Sequence, residues 1–213
     1  MPKYTSVYRD LLGRLDEIKS LQKLARQKER SDAVGMRREI DALCRGGVVL
    51  LSAHLEAYIK ELGELALERL EQRKITRDKI SRLIFYHISK DKLDELRVTS
   101  QPDGISEKVL AFLSDDAVYW SDVGPFPAPI PVDRFNKGFS NPGYKKIGAY
   151  FGRFGYSDYK RDVKSILKGD YVFSINMVDH LVDTRNKIAH GDLTANKTPQ
   201  ELREMVEIVR KFC

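Results

Sequence analysis

Apolar residues recur at steps of three and four along most of the chain, and this spacing is typical of amphipathic helices. The first predicted helix covers residues 4 to about 29. The second covers about 32–72 and is apolar around much of its circumference, as expected of a central helix; its paired glycines, 46 and 47, predict a bend. Further helices are predicted from an N-cap at Thr76 into the nineties, and at 106–113, 141–155, 157–169, 172–190 and 198–212.

The helical spacing stops over residues 121–143, which contain five of the eight prolines. Because proline removes a backbone donor and clashes inside a helix, this segment predicts an extended loop that leaves the helical bundle. No segment shows sustained alternation with a period of two, so the predicted fold class is all-α. We expect one domain over 1–213, with a proline-rich irregular insertion at about 114–140.

The formal net charge is +6, which permits a polyanionic partner without identifying one. Polar residues interrupt the longest apolar run, GVVLLSAHLEAYI, and no signal peptide is recognisable, so we expect no membrane span and a cytoplasmic location.

No metal-ligand spacing is found among the cysteines Cys44 and Cys213 and the histidines His54, His87 and His180. Glycine motifs that cradle phosphates are also absent, so neither a metal nor a cofactor is expected.

One predicted helix places a charge among apolar neighbours. On a wheel at 100° per residue, Arg185 lies near the middle of the apolar side of the 172–190 helix. An unpaired guanidinium buried there would be prohibitively costly, so it needs a carboxylate partner or a cleft that an anionic ligand can reach. That apolar side is formed by Phe173, Met177, Val178, Leu181, Val182, Ile188 and Ala189.

Glu56 is the best internal partner for Arg185. It lies at the edge of the apolar side of the central helix, flanked by Ser52 and Ile59. Gly63 leaves room beside it. We therefore expect either an Arg185–Glu56 ion pair or an open, anion-binding guanidinium.

His190 closes the same helix just before Gly191, and glycine is the natural residue to leave a helix in the left-handed conformation. The imidazole therefore lies near the negative end of the helix dipole, which favours its protonated form and suits a general acid. Asp183 and Asn186 lie on roughly the same side of the helix and are predicted to orient the ring.

The run from Arg185 through Asn186 to His190 resembles the signature of the HEPN superfamily, in which Arg, a polar residue, a few more residues and His end a bundle helix. The upstream LLSAHLEAYIKEL is similar to the helix that carries an acidic residue, here Glu56, in several HEPN-like nuclease families. The chain thus resembles the RiboL-PSP-HEPN and MAE-type nucleases. The resemblance covers about 35–70 and 140–212, and the proline-rich middle has no counterpart.

The resemblance implies an HEPN-like antiparallel helical bundle that forms a homodimer and cleaves RNA without a metal ion. An RNA 2′-hydroxyl would attack the adjacent phosphorus to give a 2′,3′-cyclic phosphate. Arg185 would neutralise the phosphorane oxygens, and His190 would transfer protons to or from the attacking and leaving oxygens. Geometry gives an independent reason for a second chain, since residues five apart lie about 140° apart on a helix and do not converge easily on one phosphate.

A bacterial toxin or defence role, with a possible antitoxin protein as partner, is implied by the resemblance alone. One subgroup of HEPN toxins has a modified tyrosine two residues past the histidine, where this chain has Asp192, so that modification is not expected. The alternative function is a catalytically inactive HEPN module that binds nucleic acid, a nucleotide or a partner protein.

Aromatic and basic residues alternate over 135–171, a pattern that can stack bases and hold phosphates. The secondary RNA-binding candidates in this segment are Lys145, Lys146, Tyr150 and Arg153. The alternative is that the aromatic rings pack a short helix onto the bundle.

Overall fold

The computed structural model describes residues 5–121 and 123–213, and within them the regular structure is helical, with one isolated β-bridge between Thr76 and Pro125. The all-α fold class is therefore confirmed. Tyr4, the predicted start of the first helix, lies outside the described residues. The α-helices are α1 (Ser6–Asp32), α2 (Arg37–Gln72), α3 (Arg82–Val98), α4 (Pro102–Asp115), α5 (Val132–Asn136), α6 (Tyr144–Gly152), α7 (Tyr159–Leu167), α8 (Tyr171–Ala189) and α9 (Pro199–Phe212).

The chain forms two compact units. The described part of the first unit comprises residues 5–61, Ser140–Gly148 and Lys160–Cys213. The second comprises Leu62–Phe139, apart from residue 122, and Ala149–Tyr159. The predicted insertion at about 114–140 therefore accounts for only part of the second unit.

The core of the first unit is built from α1, α8, α9 and the first part of α2. Its fully buried residues include Leu11, Leu15, Ile18, Leu51, Leu55, Val178, Leu181 and Leu202. The last helix begins with the capping box expected from its sequence, because the Thr198 hydroxyl accepts from the Glu201 amide at 3.1 Å and the Glu201 carboxylate accepts from the Thr198 amide at 2.8 Å.

The helix α2 is continuous over Arg37–Gln72, through both of its paired glycines. A Cβ on Gly47 would lie 2.6 Å from Leu202 Cδ2, so this glycine allows the buried Leu202 of α9 to approach α2 closely. A Cβ on Gly46 would meet nothing within 4 Å. Close packing against Leu202 therefore explains the glycine at position 47, for which the sequence had suggested only a bend.

The second unit has an aromatic core that includes part of the proline-rich segment. Residues 125–131 form no helix, but the prediction of a helix-free loop over 121–143 was wrong at α5, Val132–Asn136, which begins directly after the last of the alternating prolines. The segment is packed, however, because Phe126 and Ile130 are each 6% exposed and the Phe126 ring stacks on Phe85 at 5.4 Å between centroids. The prediction of a loop that leaves the bundle was therefore wrong for Phe126 and Ile130. The prolines prevent a helix here, but apolar side chains of a non-helical segment can still be buried.

The N-cap predicted for the third helix was also wrong. Thr76 precedes a short 3₁₀ turn over Arg77–Lys79, and Ser81 caps α3 by accepting from the Leu83 amide at 3.3 Å. Serine is as good an N-cap as threonine, so local preference alone did not separate the two positions.

The helix α2 has the length and composition that a membrane-crossing helix requires, although the sequence analysis found no such segment. Within its most apolar 18-residue window, 44% is buried inside the protein. A core helix passes the same test, so this observation is weak support for a membrane span.

His87, on α3 in the second unit, gives a prediction about pH. Burial, followed by the nearby charges of Arg153 and Lys90, lowers the pKa of His87 to about 4. Since this lies below the unfolded value of about 6.5, the unfolded state takes up the proton first, and stability should fall as the pH drops from about 6.5 towards 4. We expect the urea midpoint of the wild type to decrease over this range more steeply than that of His87→Gln; parallel decreases would contradict the prediction.

Candidate active site

The helix α8 sets the position of the candidate site. Its buried side runs through Ser174, Val178 and Leu181, and Arg185 continues this line by one turn as a half-buried residue. The predicted apolar side was wrong at both its ends, because Phe173 is 57% exposed and Ala189 is also exposed. Arg185 therefore lies where the buried side of the helix reaches the surface.

The guanidinium of Arg185 is held by two neutral amides. Its Nη1 donates to Asn141 Oδ1 at 3.0 Å and to Asn186 Oδ1 at 3.1 Å. Among residues 5–121 and 123–213, no carboxylate forms an ion pair with it. Of the two alternatives, the Arg185–Glu56 pair was therefore wrong, and no acid among the described residues neutralises the guanidinium through an ion pair.

Glu56 is linked to Arg185 indirectly. One of its carboxylate oxygens accepts from Lys60 Nζ at 2.8 Å, and the other accepts from the backbone N–H of Asn141 at 3.1 Å. Gly63 was predicted to leave room for Glu56, but the structure shows that it makes room for Tyr150, since a Cβ on Gly63 would lie 1.9 Å from the Tyr150 hydroxyl oxygen.

Asn141 is the site residue that the sequence analysis missed. Its φ of +53° lies in the left-handed region, which asparagine tolerates better than most residues. The signal was present in the sequence as Asn-Pro-Gly at 141–143, a combination typical of tight turns. The prediction of a helix over 141–155 treats these residues as its start, whereas α6 begins at Tyr144.

The end of α8 follows the prediction. Gly191 has a φ of +82°, the Gly191 amide donates to the Ile188 carbonyl, and the Asp192 amide donates to the Lys187 carbonyl, each at 3.0 Å. This is a Schellman motif, which stops the helix at His190. His190 is exposed, so its ring is accessible to a ligand.

The two residues predicted to orient the His190 ring, Asp183 and Asn186, do not hold it in the structure. Asn186 accepts from the His190 backbone N–H through its carbonyl at 3.0 Å, but its side chain holds Arg185. Asp183 is exposed, and in the described part of the chain it forms no hydrogen bond with the imidazole. Asn186 is therefore a partner of the guanidinium, and its predicted role as a side-chain partner of the imidazole was wrong.

Two open hollows lie along this end of α8. One, of about 500 Å³, is lined by His180, Asp183, Asn186, Lys187, His190 and Asp192. The other, of about 450 Å³, is lined by Asn141, Lys145, Lys146, Asp179, Asp183 and Asn186. Both volumes lie within the range of small-ligand pockets. Arg185 lines neither hollow itself, but both of its amide partners line the second, so within one chain the predicted catalytic pair does not open onto a single hollow.

The four secondary RNA-binding candidates separate into two pairs. Lys145 and Lys146 are exposed at the second hollow, although Lys146 Nζ also donates to the Ser140 carbonyl at 3.3 Å. Tyr150 is 1% exposed, which contradicts a role in stacking bases, and burial raises its pKa. Arg153 donates to the carbonyls of Phe135 and Lys137 and lies over the Tyr150 ring, so its predicted phosphate contact is replaced by internal ones.

Two further titratable groups, His180 and Asp192, line the first hollow. Burial lowers the pKa of His180, as does Lys197, so its ring in the first hollow favours the neutral form. Hydrogen bonds from Thr194 lower the pKa of Asp192, which therefore stays ionised. No cluster of three or more potential metal ligands occurs within the described ranges.

Comparison with known proteins identifies the family of this chain. The family model described as RiboL-PSP-HEPN matches residues 9–213. No curated protein and no solved structure shows significant similarity to the chain. The matched range contains the Arg185–His190 segment, Glu56 and Asn141, and it includes the proline-rich region for which sequence inspection found no counterpart. Since the match spans nearly the whole sequence, the chain belongs to the RiboL-PSP-HEPN family of the HEPN superfamily.

Proposed function

We propose that this protein is a metal-independent endoribonuclease. The observation that carries the proposal is the guanidinium of Arg185, which two neutral amides fix beside an open hollow and which forms no ion pair with a carboxylate of the described residues. A fixed cation of this kind suits the charge that develops on phosphate oxygens during cleavage. Membership of an HEPN family is compatible with a nucleic-acid-related role.

In the proposed reaction, the RNA 2′-hydroxyl loses its proton to water, its oxygen forms a bond to the adjacent phosphorus, and the bond from phosphorus to the 5′-oxygen breaks. Arg185 neutralises charge on the non-bridging oxygens of the phosphorane. His190 donates a proton to the leaving 5′-oxygen, and its exposed position at the helix end gives the substrate access to the ring. The products carry a 2′,3′-cyclic phosphate and a 5′-hydroxyl.

The proposal includes a homodimer. Within one chain His190 lines the first hollow, Asn141 lines the second, Asn186 lines both and Arg185 lines neither. A second copy would bring Arg185 of one chain and His190 of the other into one cleft. The exposed apolar residues Val172 and Phe173, on the same helix, suit burial against another protein surface. A role as a bacterial toxin or defence effector is supported by the family resemblance.

The test is cleavage of single-stranded RNA by the purified protein in the presence of EDTA. We expect fragments that end in 2′,3′-cyclic phosphate, identified by mass spectrometry. Binding of RNA without cleavage would favour the alternative, an inactive HEPN module. Products with 3′-hydroxyl ends would contradict the proposed attack by the 2′-oxygen.

A further inference from the structure

Asn141 connects three parts of the first unit. Its backbone N–H donates to Glu56 on α2 at 3.1 Å, and its side-chain oxygen accepts from Arg185 on α8 at 3.0 Å. Its carbonyl accepts from the Gly143 amide at 2.8 Å, immediately before α6. The segment is fixed at its other end as well, since the Tyr144 amide donates to Asp179 of α8 at 2.7 Å.

The left-handed backbone of Asn141 is what allows these bonds to coexist. With a φ of +53°, the amide N–H donates to α2 while the side chain of the same residue bonds to α8. The Glu56 carboxylate has a second partner in Lys60. Glu56 therefore holds the backbone of Asn141, and Asn141 holds the guanidinium.

The chemistry of the acceptor matters as much as its position. A carboxylate at this place would fix Arg185 equally well, but it would neutralise the guanidinium and repel a phosphate. An amide oxygen orients the guanidinium without cancelling its charge. Both acceptors of Nη1, Asn141 and Asn186, are amides. Both bonds use Nη1, so no described residue accepts a hydrogen bond from the N–H donors on Nε and Nη2.

We infer that Asn141 is a positioning residue that aligns Arg185 for phosphate, and that Glu56 acts through Asn141. This inference deepens the proposed function and rests on it. Because misplacement of a positioning group by about 1 Å can reduce a rate about a hundredfold, the loss of this acceptor should be measurable.

Two variants separate positioning from folding. Asn141→Gly keeps the left-handed backbone and the N–H to Glu56 but removes the acceptor, so we expect kcat to fall at least tenfold with little change in KM. Asn141→Asp keeps the shape and the acceptor but adds a negative charge, so we expect a higher KM for RNA. If Asn141 only shaped the turn, both variants would cleave like the wild type, and that result would overturn the inference.

Gln27→Glu is the matched control for charge, since it adds the same negative charge at an exposed position on α1, and it should cleave like the wild type. Melting temperatures of all variants report whether the fold is kept. Similar losses in Gln27→Glu and Asn141→Asp would mean that overall charge, and not the charge beside Arg185, controls binding, which would overturn this part of the inference.

A second measurement does not depend on cleavage. The two bonds of Nη1 should slow rotation of the Arg185 guanidinium, seen as distinct nitrogen NMR signals that are assigned by their loss in Arg185→Lys. In Asn141→Gly these signals should broaden or merge. If the wild type cleaves no RNA, the ribonuclease proposal fails while this spectrum still decides the positioning role; unchanged signals in Asn141→Gly would refute that role.

Discussion

Arg185→Ala and His190→Ala are each expected to reduce RNA cleavage by about a thousandfold. Removal of a group that stabilises developing negative charge costs about 10²–10³ in rate, and removal of a general acid costs about 10²–10⁴. His190 is exposed and its backbone N–H already ends the helix, so its replacement should change stability by less than about 0.5 kcal/mol. Initial cleavage rates and melting temperatures of both variants check the prediction.

Mixing the two inactive variants tests whether the site is shared between chains. If Arg185 of one chain acts with His190 of its partner, a mixed dimer contains one complete site, and activity should return to a substantial fraction of the wild-type value after subunit exchange. If both groups act within one chain, the mixture stays inactive. Undiminished cleavage by either single variant would instead indicate a contaminating nuclease and would remove the support for these roles.

Gly63→Ala is expected to give the largest loss of stability, about 3 kcal/mol, because it overpacks a core that cannot adjust. The new Cβ would lie 1.9 Å from the hydroxyl oxygen of Tyr150 and 2.8 Å from its Cζ. That ring cannot retreat, since it is 1% exposed, packs on Phe139 at 4.6 Å between centroids, and donates its hydroxyl to Asn136 at 2.5 Å. Urea denaturation measures the loss.

Gly46→Ala is the matched control within the same helix. A Cβ at Gly46 meets nothing within 4 Å, so alanine should stabilise α2 by about 0.5–1 kcal/mol. Tyr150→Phe should restore part of the stability of Gly63→Ala, because the double variant lacks the hydroxyl that clashes. Equal stabilities of the two alanine variants would show that the second unit accommodates the methyl group.

Much of the helical architecture could be predicted because it depends on neighbours within four or five residues. The apolar spacing located α8, and the His-Gly pair located its end. The capping box at Thr198 was equally readable, since its donors and acceptors lie three residues apart. The same local signals failed at Thr76, where a nearby serine was an equivalent cap.

The arrangement around Arg185 could not be predicted in the same way. A helix wheel indicated that the guanidinium needed a partner and identified Glu56, but it carried no information about the turn that lies between them. Asn141 is 85 residues from Glu56 and 44 from Arg185. Likewise, the alternation of aromatic and basic residues favoured an RNA surface, whereas burial turned Tyr150 and Arg153 inward.

By itself, the sequence determined most of the helices, the cap at Thr198, the helix end at Gly191 and the segment that carries Arg185 and His190, because hydrogen bonds and side-chain faces within a helix are set by residues one turn away. Only the tertiary structure decided which group holds the guanidinium and which aromatic residues are buried. Those outcomes depend on contacts between residues distant in sequence, and several candidates of similar local chemistry compete for each one. The left-handed turn at Asn141 supplies a partner of the Arg185 guanidinium. In the part of the chain that the structure describes, no carboxylate forms an ion pair with that guanidinium.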